Sequence, residues 1–399
     1  MSYLKYVILL YGIIFMPLNI SLAQIQLGGL ADFEIRKGGS ESSMYVNQTP
    51  NGKWAVYTPA VRLFFNSNIS DNWYILSTLQ ADHYNGVELS EPFFSVININ
   101  WVPLSNSDLT VSAGRFVIPY GAYSNKFLSS DNSFVHLPLS HASGLPVSKT
   151  RGILYEDVEY APDETGMNMV YQRMYTQGIK VQNNLGENNF FSYNLALTLA
   201  SASSFFEYGK HNKPAITGRL SLHPAIWMDM GLSFSYGAFM KRDSVNNIIS
   251  DKNLSKFDQT LIGGDLKLTY LYYTLYAEYN WSQWNAPYIN GNSISGNSYI
   301  SQFANASHFS MELIVDFYFL PGAYSGLRYE NLWSGDLKDE GNYSYNNYGK
   351  WTYNRDRIEI VFGYKLERDL IMKVSYLTSG DNGPGLDDNV FTVQLSVGF

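Results

Sequence analysis

The sequence predicts an all-β fold, a transmembrane antiparallel β-barrel of about 16 strands, and three observations carry that expectation. Apolar and polar side chains alternate with a period of two along most of the chain after residue 24, as they do in strands whose two faces meet different solvents. Tight turns and long hydrophilic loops take turns as connections. After residue 23 no uninterrupted apolar window reaches the roughly 18 residues expected of a membrane-crossing helix.

Composition narrows the function classes. A chain of 399 residues would ordinarily make two or three soluble domains, whereas a barrel can use that length as one. Aromatic residues make up 16%, including 32 Tyr, and charged residues only 16%, a balance rich in strand-favouring rings and poor in ordinary soluble surface. Cys is absent, which excludes disulfides, thiolate metal sites, cysteine nucleophiles and a lipidated N-terminal Cys. The formal charge of -8 and the lack of a strongly basic run argue against a nucleic-acid partner.

The first element is an address. Residues 1–23 place Lys5 before an apolar run from Tyr6 to Met16, with Ser21-Leu22-Ala23 suited to cleavage before Gln24; they are expected to be a cleaved signal peptide, leaving 24–399 as the barrel. The first strand follows at 25–36, where Ile25, Leu27, Ala31, Phe33 and Ile35 alternate with Gln26, Asp32, Glu34 and Arg36. The same period predicts strands at 54–66, 73–84, 94–102, 109–119, 176–184, 190–201, 215–223, 228–240, 258–270, 272–284, 307–319, 323–334, 356–366, 369–379 and 389–399. Each is near the roughly 9 to 11 residues that a tilted membrane strand needs.

The connections sort by length. Tight turns fall at 66–71, 103–108, 185–189, 223–227, 320–322 and 367–369, and long polar loops fall between them. Short turns on one rim, with both termini, and long loops on the other are what an outer-membrane barrel has. Tyr and Trp near strand ends, among them Trp73, Trp101, Trp227, Trp281 and Trp333, suit aromatic girdles.

The last strand, FTVQLSVGF, sets the facing. With Phe391, Val393, Leu395, Val397 and Phe399 toward lipid, the apolar stripes of the preceding strands join them, and the charged stripes turn inward. The inferred interior holds Arg36, Arg62, Lys180, Arg219, Lys267, Arg328, Arg357, Lys365 and Lys373 among the bases, and Asp32, Glu34, Asp82, Asp229, Asp265, Glu278, Glu312, Asp316, Glu330 and Glu359 among the acids. These predict a hydrated lumen, with Arg36, Arg62, Lys180, Arg219, Lys267, Arg328, Arg357, Lys365, Glu278, Glu312 and Asp316 as candidate pore-lining residues. The terminal aromatic strand also resembles the signature read by the barrel-insertion machinery of bacterial outer membranes.

A barrel this wide leaves an aqueous channel unless something fills it. The connection at about 120–175 is the outlier in length, and loops of that size are usually functional. Its basic part, Lys126, His136, His141, Lys149 and Arg151, and its acidic part, with Glu156, Asp157 and Glu159, make it a candidate constriction loop facing the wall bases; the alternative is a solvated extracellular flap.

At Ala113 to Gly121 (AGRFVIPYG) and Ala215 to Pro224 (AITGRLSLHP) the chain resembles the phosphate-selective porin O and P family. That resemblance implies a sixteen-stranded trimeric outer-membrane barrel, a homotrimer; no cofactor is expected. The family's phosphate selectivity rests on an arginine ladder and lysines, whereas the inferred interior here mixes both signs. Arg115 falls on the apolar parity of its strand, which predicts a bulge or shifted register there.

The function these readings favour is a passive channel for small hydrophilic solutes or ions. The alternative is a non-transport barrel, an adhesin or the membrane subunit of a secretion or motility complex, in which the long loops bind a partner. An enzyme is not expected: Ser140-His141 invites a hydrolase reading, but neighbours on an extended chain point apart and no nucleophile elbow or metal-binding His-Glu-x-x-His is present. Ser379 to Asn389 is rich in carboxylates without the spacing of a calcium loop, so a hydrated hairpin loop is expected.

Overall fold

The alternation resolves into sixteen antiparallel wall strands in the computed structural model, which describes residues 25–39, 52–83, 90–103, 108–148, 152–153, 166–204, 213–240, 256–288, 300–335, 338–339, 351–367, 369–381 and 389–399. The predicted leader, 1–23, lies outside the described residues. In chain order the wall strands are β1 (Ile25–Gly38), β2 in two segments (Trp54–Tyr57 and Ala60–Ser70), β3 (Trp73–Asp82), β4 (Phe93–Trp101), β5 (Thr110–Val117), β6 (Tyr175–Leu185), β7 (Phe191–Thr198) and β8 (Ala215–Ala225). They continue with β9 (Met228–Ala238), β10 (Asp258–Tyr270), β11 (Tyr273–Tyr288), β12 (Ile300–Asp316), β13 (Ala323–Ser334), β14 (Arg355–Glu367), β15 (Leu370–Asp381) and β16 (Val390–Gly398).

Each wall strand pairs with the next, and β16 pairs back onto β1 from Leu30↔Gly398 to Gly38↔Val390. Phe399 extends the seam by exchanging backbone bonds with Gly29, 2.8 Å and 3.1 Å. The cylinder is therefore closed, and no strand edge of the wall is left to satisfy in hydrocarbon. The break in β2 falls at Thr58-Pro59, because proline has no N–H to give to the ladder.

Burial runs inside out. Along β14, Ile358, Ile360 and Phe362 are 38%, 56% and 46% exposed on the outer face, while Glu359 is 0% exposed on the inner one. On β16, Leu395 is exposed and Thr392, Gln394 and Ser396 are buried. The facing expected from the last strand therefore holds. Trp73 and Trp101 stack at 5.9 Å on the rim of short turns, as an aromatic girdle would place them.

Three local expectations need correction. The strands expected at 272–284 and 307–319 run instead over Tyr273–Tyr288 and Ile300–Asp316, since pairing continues to Tyr288↔Ile300 past the apolar band while Phe317 turns out of the ladder to bond Ala323. Arg115 does lie on the outer face, but β5 pairs in unbroken register with both neighbours. The irregularity sits one strand away, where Ser95 of β4 is skipped between Leu79↔Phe94 and Thr78↔Val96, and the Arg115 guanidinium donates to the Phe94 carbonyl beside it.

The interior is not uniformly wet. Ile118, Leu139, Leu145, Met169 and Val170, from the long connection after β5, pack against Phe239, Leu261, Trp284, Ala304 and Leu332 of the wall from β9 to β13. An apolar core thus sits inside the barrel, on the side of the long loops. It replaces hydration with burial for each of these side chains.

Gly114 gives a direct test of the wall. Its φ is +131°, and a Cβ there would lie 2.3 Å from the Ile97 carbonyl oxygen. Gly114→Ala is expected to cost about 1–3 kcal/mol and to lower the temperature at which the purified barrel loses its heat-modifiable gel mobility; an unchanged transition would refute the constraint.

Candidate functional site

The described residues of the connection from β5 to β6 enter the lumen and dock on the inner wall. Ile118 and Met174 close its neck, the Ile118 N–H donating to the Met174 carbonyl at 2.9 Å. Tyr120 OH then donates to Asn280 Oδ1 (2.9 Å), and the N–H groups of Gly121 and Ala122 donate to Ser233 Oγ (3.0 Å) and Glu278 Oε2 (3.3 Å). Gly121 has φ +68°, the left-handed turn that swings the chain inward. Lys126 pairs with Glu312 and lies 4.1 Å from the centre of the Tyr276 ring. Three residues on, Ser129 donates to Asp32 and accepts from Lys373 Nζ (2.6 Å). The loop has by then crossed from the β11–β12 wall to the β15–β1 seam.

Its next stretch sits on a buried charge cluster. Glu359 Oε1 accepts from the Val135 and His136 N–H groups at 3.2 and 3.3 Å and from His136 Nδ1 at 2.9 Å. An ionised carboxylate only accepts, so the His136 proton sits on Nδ1, which leaves Nε2 to accept from Thr392 Oγ1 (3.2 Å). Arg328 binds Glu359 and donates to the His136 carbonyl (2.8 Å), Arg357 binds Glu330 (2.6 Å) and the Leu137 carbonyl, and Glu330 accepts from the Leu139 N–H (2.9 Å). All four charged wall residues are buried. The loop supplies backbone partners that they would otherwise lack.

A four-residue helix, α1 (Leu139–Ala142), follows. It corrects the extended-chain reading of Ser140-His141: the helical turn brings Ser140 Oγ to 2.9 Å from His141 Nδ1. Both side chains are buried, and neither lines the two polar cavities beside the loop. Burial pushes the His141 imidazole down to about 3, with His308 adding to the effect and Glu330 opposing it. Burial also lowers His136, against the pull of Glu359.

Two polar cavities remain beside the loop. The first, about 240 Å³, lies between the loop and the β1–β3 wall and is lined by Asp32, Glu34, Arg36, Arg62, Asp82 and Arg173, with Tyr57, Gln80 and Asn132. Its arginines are paired: Arg36 with Glu34 (2.6 Å), Arg62 with Asp32 (3.3 Å), Arg173 with Asp82 (2.7 Å) and, at its buried end, Arg357 with Glu330 (2.6 Å). The second, about 190 Å³, lies under Ser124 and Asn125 against β6–β8, among Gln182, Asn184, Asn194 and Ser221; its Arg219 is held by Asp265.

The expected pore-lining residues divide accordingly. Arg36, Arg62, Arg219 and Arg357 line the cavities. Lys180 points inward over the Phe116 ring at 5.4 Å, and Lys267 faces Asp229 at 3.8 Å. Arg328, Arg357 and Glu312 point inward but are buried at 0%, 1% and 2% exposure beneath the loop, and Glu278 caps the loop's entry. Lys365 and Asp316 are exposed at the short-turn end. In the expected constriction set, Lys126, His136 and His141 are docked as described, while Lys149, Arg151, Glu156, Asp157 and Glu159 fall outside the described residues. Arg173 escaped the sequence reading, since it lies in a loop without periodicity and shows its role only through Asp82. Most of Ser379 to Asn389 is likewise outside the described residues, and among those described no cluster of three or more acids or histidines has metal-holding geometry.

The chain matches no protein-family model and no curated protein. Solved structures resemble it in fold. An anion-selective porin from Comamonas acidovorans superposes with TM-score 0.57 at 10% identity, over 94% of this chain and 100% of that one. The outer-membrane channel DcaP of Acinetobacter baumannii gives 0.55 at 13% identity, over 94% and 97%. OmpT of Vibrio cholerae, an outer membrane protein in its trimer form, gives 0.52 at 7% identity, over 94% and 99%. The closed sixteen-stranded barrel is thus that of porins and resembles outer-membrane proteins of Gram-negative bacteria.

Two outcomes test the docking. Glu359→Ala strips Arg328, Val135 and His136 of a shared partner; breaking a buried pair this way costs roughly 3–5 kcal/mol, and the loop is expected to gain protease sensitivity within 126–148 while the barrel stays folded. Acid should act in the same direction. A released loop takes up protons on its imidazoles below about pH 6.5, whereas the docked His141 does so only near 3, so docking weakens as pH falls between those values. Protease protection that is the same at both ends of that window would contradict it.

Proposed function

We propose that this protein is an outer-membrane porin, a passive water-filled channel for small hydrophilic solutes, with the described residues 118–148 and 166–174 of its longest connection as the constriction. One observation carries the reading: a closed barrel wide enough for a lumen has its longest described connection folded inside, leaving polar cavities along the β1–β3 and β6–β8 walls. A channel needs a hydrated path whose width the protein sets, and a loop tied to the wall by buried ion pairs sets it. The resemblance to the phosphate-selective family is narrower support: of its two stretches, one places Arg115 outside the barrel and the other places Arg219 against Asp265. Porin-like neighbours favour transport over catalysis. A cleaved leader, insertion through the terminal aromatic strand and assembly as a homotrimer belong to the same proposal, the last supported by the trimer form of the Vibrio protein.

Purified protein in planar bilayers is expected to open stable unitary conductances. Deleting 125–150 should raise each step about twofold or more, because a constriction in series dominates resistance. A folded barrel that never conducts would favour the partner-binding alternative, and an unaltered step after the deletion would remove the loop's role.

A further inference from the structure

An ion entering a narrow protein passage sheds part of its water, and a wall offsets that loss only with charge of the opposite sign that is not already neutralised. The first cavity offers none, and the second offers only Asp108, which stands exposed to water at the short-turn end. In the first, each guanidinium is held by a carboxylate, Arg36 by Glu34, Arg62 by Asp32, Arg173 by Asp82 and Arg357 by Glu330. In the second, Arg219 is held by Asp265, Asp108 at the exposed end accepts from the Asn184 amide (3.2 Å), and the other polar groups are amide and hydroxyl, with Gln182, Asn194, Ser192 and Ser221. Asn194 Oδ1 is buried without a hydrogen-bond partner, an acceptor left for a donor to fill. Lys180 lines neither cavity.

We infer that this passage is built for net-neutral, polyhydroxylated solutes of monosaccharide type, and not for ions of either sign; the inference rests on the channel reading above. A sugar hydroxyl both donates and accepts. A wall of alternating carboxylate, guanidinium and amide groups meets it with both at every step, so the hydrogen bonds lost to water are replaced as the solute moves. A phosphate or an ammonium ion meets closed ion pairs and dipoles, with the hydrated Asp108 at the rim as the one lining carboxylate outside an ion pair among the described residues. The ion pairs run along one wall, Asp32 to Arg62 from β1 to β2 and Asp82 to Arg173 from β3 to the loop, so each charge is compensated within a few ångströms and the field does not extend across the opening.

The test uses the full-length protein in two assays. In planar bilayers under a salt gradient, the potassium-to-chloride permeability ratio is expected within about threefold of unity. In liposome swelling, arabinose and glucose are expected to enter faster than gluconate or N-methylglucamine. Asp82→Asn releases Arg173 and should shift the ratio toward chloride by about threefold or more; Arg62→Gln releases Asp32 and should shift it as far toward potassium. The opposite signs keep the test decisive when one variant fails to fold, which gel mobility reports. A wild-type ratio beyond about tenfold, gluconate entry matching glucose, or folded variants with unaltered ratios would overturn the inference while leaving a channel. Absence of both conductance and swelling in a folded barrel would overturn the channel reading itself.

Discussion

A strand edge cannot be left open in hydrocarbon, and the rest of this molecule follows from the seam that removes it. Each unpaired backbone group there would cost several kcal/mol, roughly the scale of a small domain's whole stability once a few are summed. The pairing of β1 with β16 ends that liability and fixes which parity of every strand faces out, because a shift by one residue would turn every stripe over. Gln394 and Ser396 then bond Glu34 and Asp32 across the inner side of the seam, at 2.6 and 2.8 Å. The polar residues of the last strand thus tie to those of the first.

Closure creates a second demand. Turning the charged stripes inward spares them from lipid, yet the wall from β12 to β14 carries Glu312, Arg328, Glu330, Arg357 and Glu359 within a few ångströms of one another. Buried ion pairs are weak stabilisers in themselves, since desolvation consumes most of the Coulomb gain. The loop offsets part of that cost, since its carbonyls at His136 and Leu137 and N–H groups at Val135, His136 and Leu139 add hydrogen bonds to the cluster, while Arg328 Nε and Nη1 and Arg357 Nη1 are left to ion-pair attraction alone. The apolar core from Ile118 to Trp284 adds burial that the ion pairs alone would not supply. One side of the lumen is filled by this docking. The open volume lies on the other side.

Much of the wall was legible in the sequence, and the reason is periodicity. Alternation with a period of two fixed the number of wall strands and the outward set from Phe33 to Leu395, because every strand faces the same two solvents. It misled where a neighbour intervened: Arg115 sits on the apolar parity without a bulge of its own, since the skipped Ser95 lies on β4. It was silent about the apolar inner positions Leu261, Trp284 and Leu332, which look like exceptions to a wet lumen until the loop covers them.

Fold class, inside-out facing and the identity of the outlying connection came from the sequence by itself, because each depends on local pattern and on the solvent that pattern implies. The path of that connection, the pairing of Arg173 with Asp82 and the covering of Arg328 and Arg357 were decided only by the tertiary structure. These contacts join residues far apart in the chain, His136 to Glu359 among them, and no periodic signal encodes which buried charge a distant backbone group will satisfy.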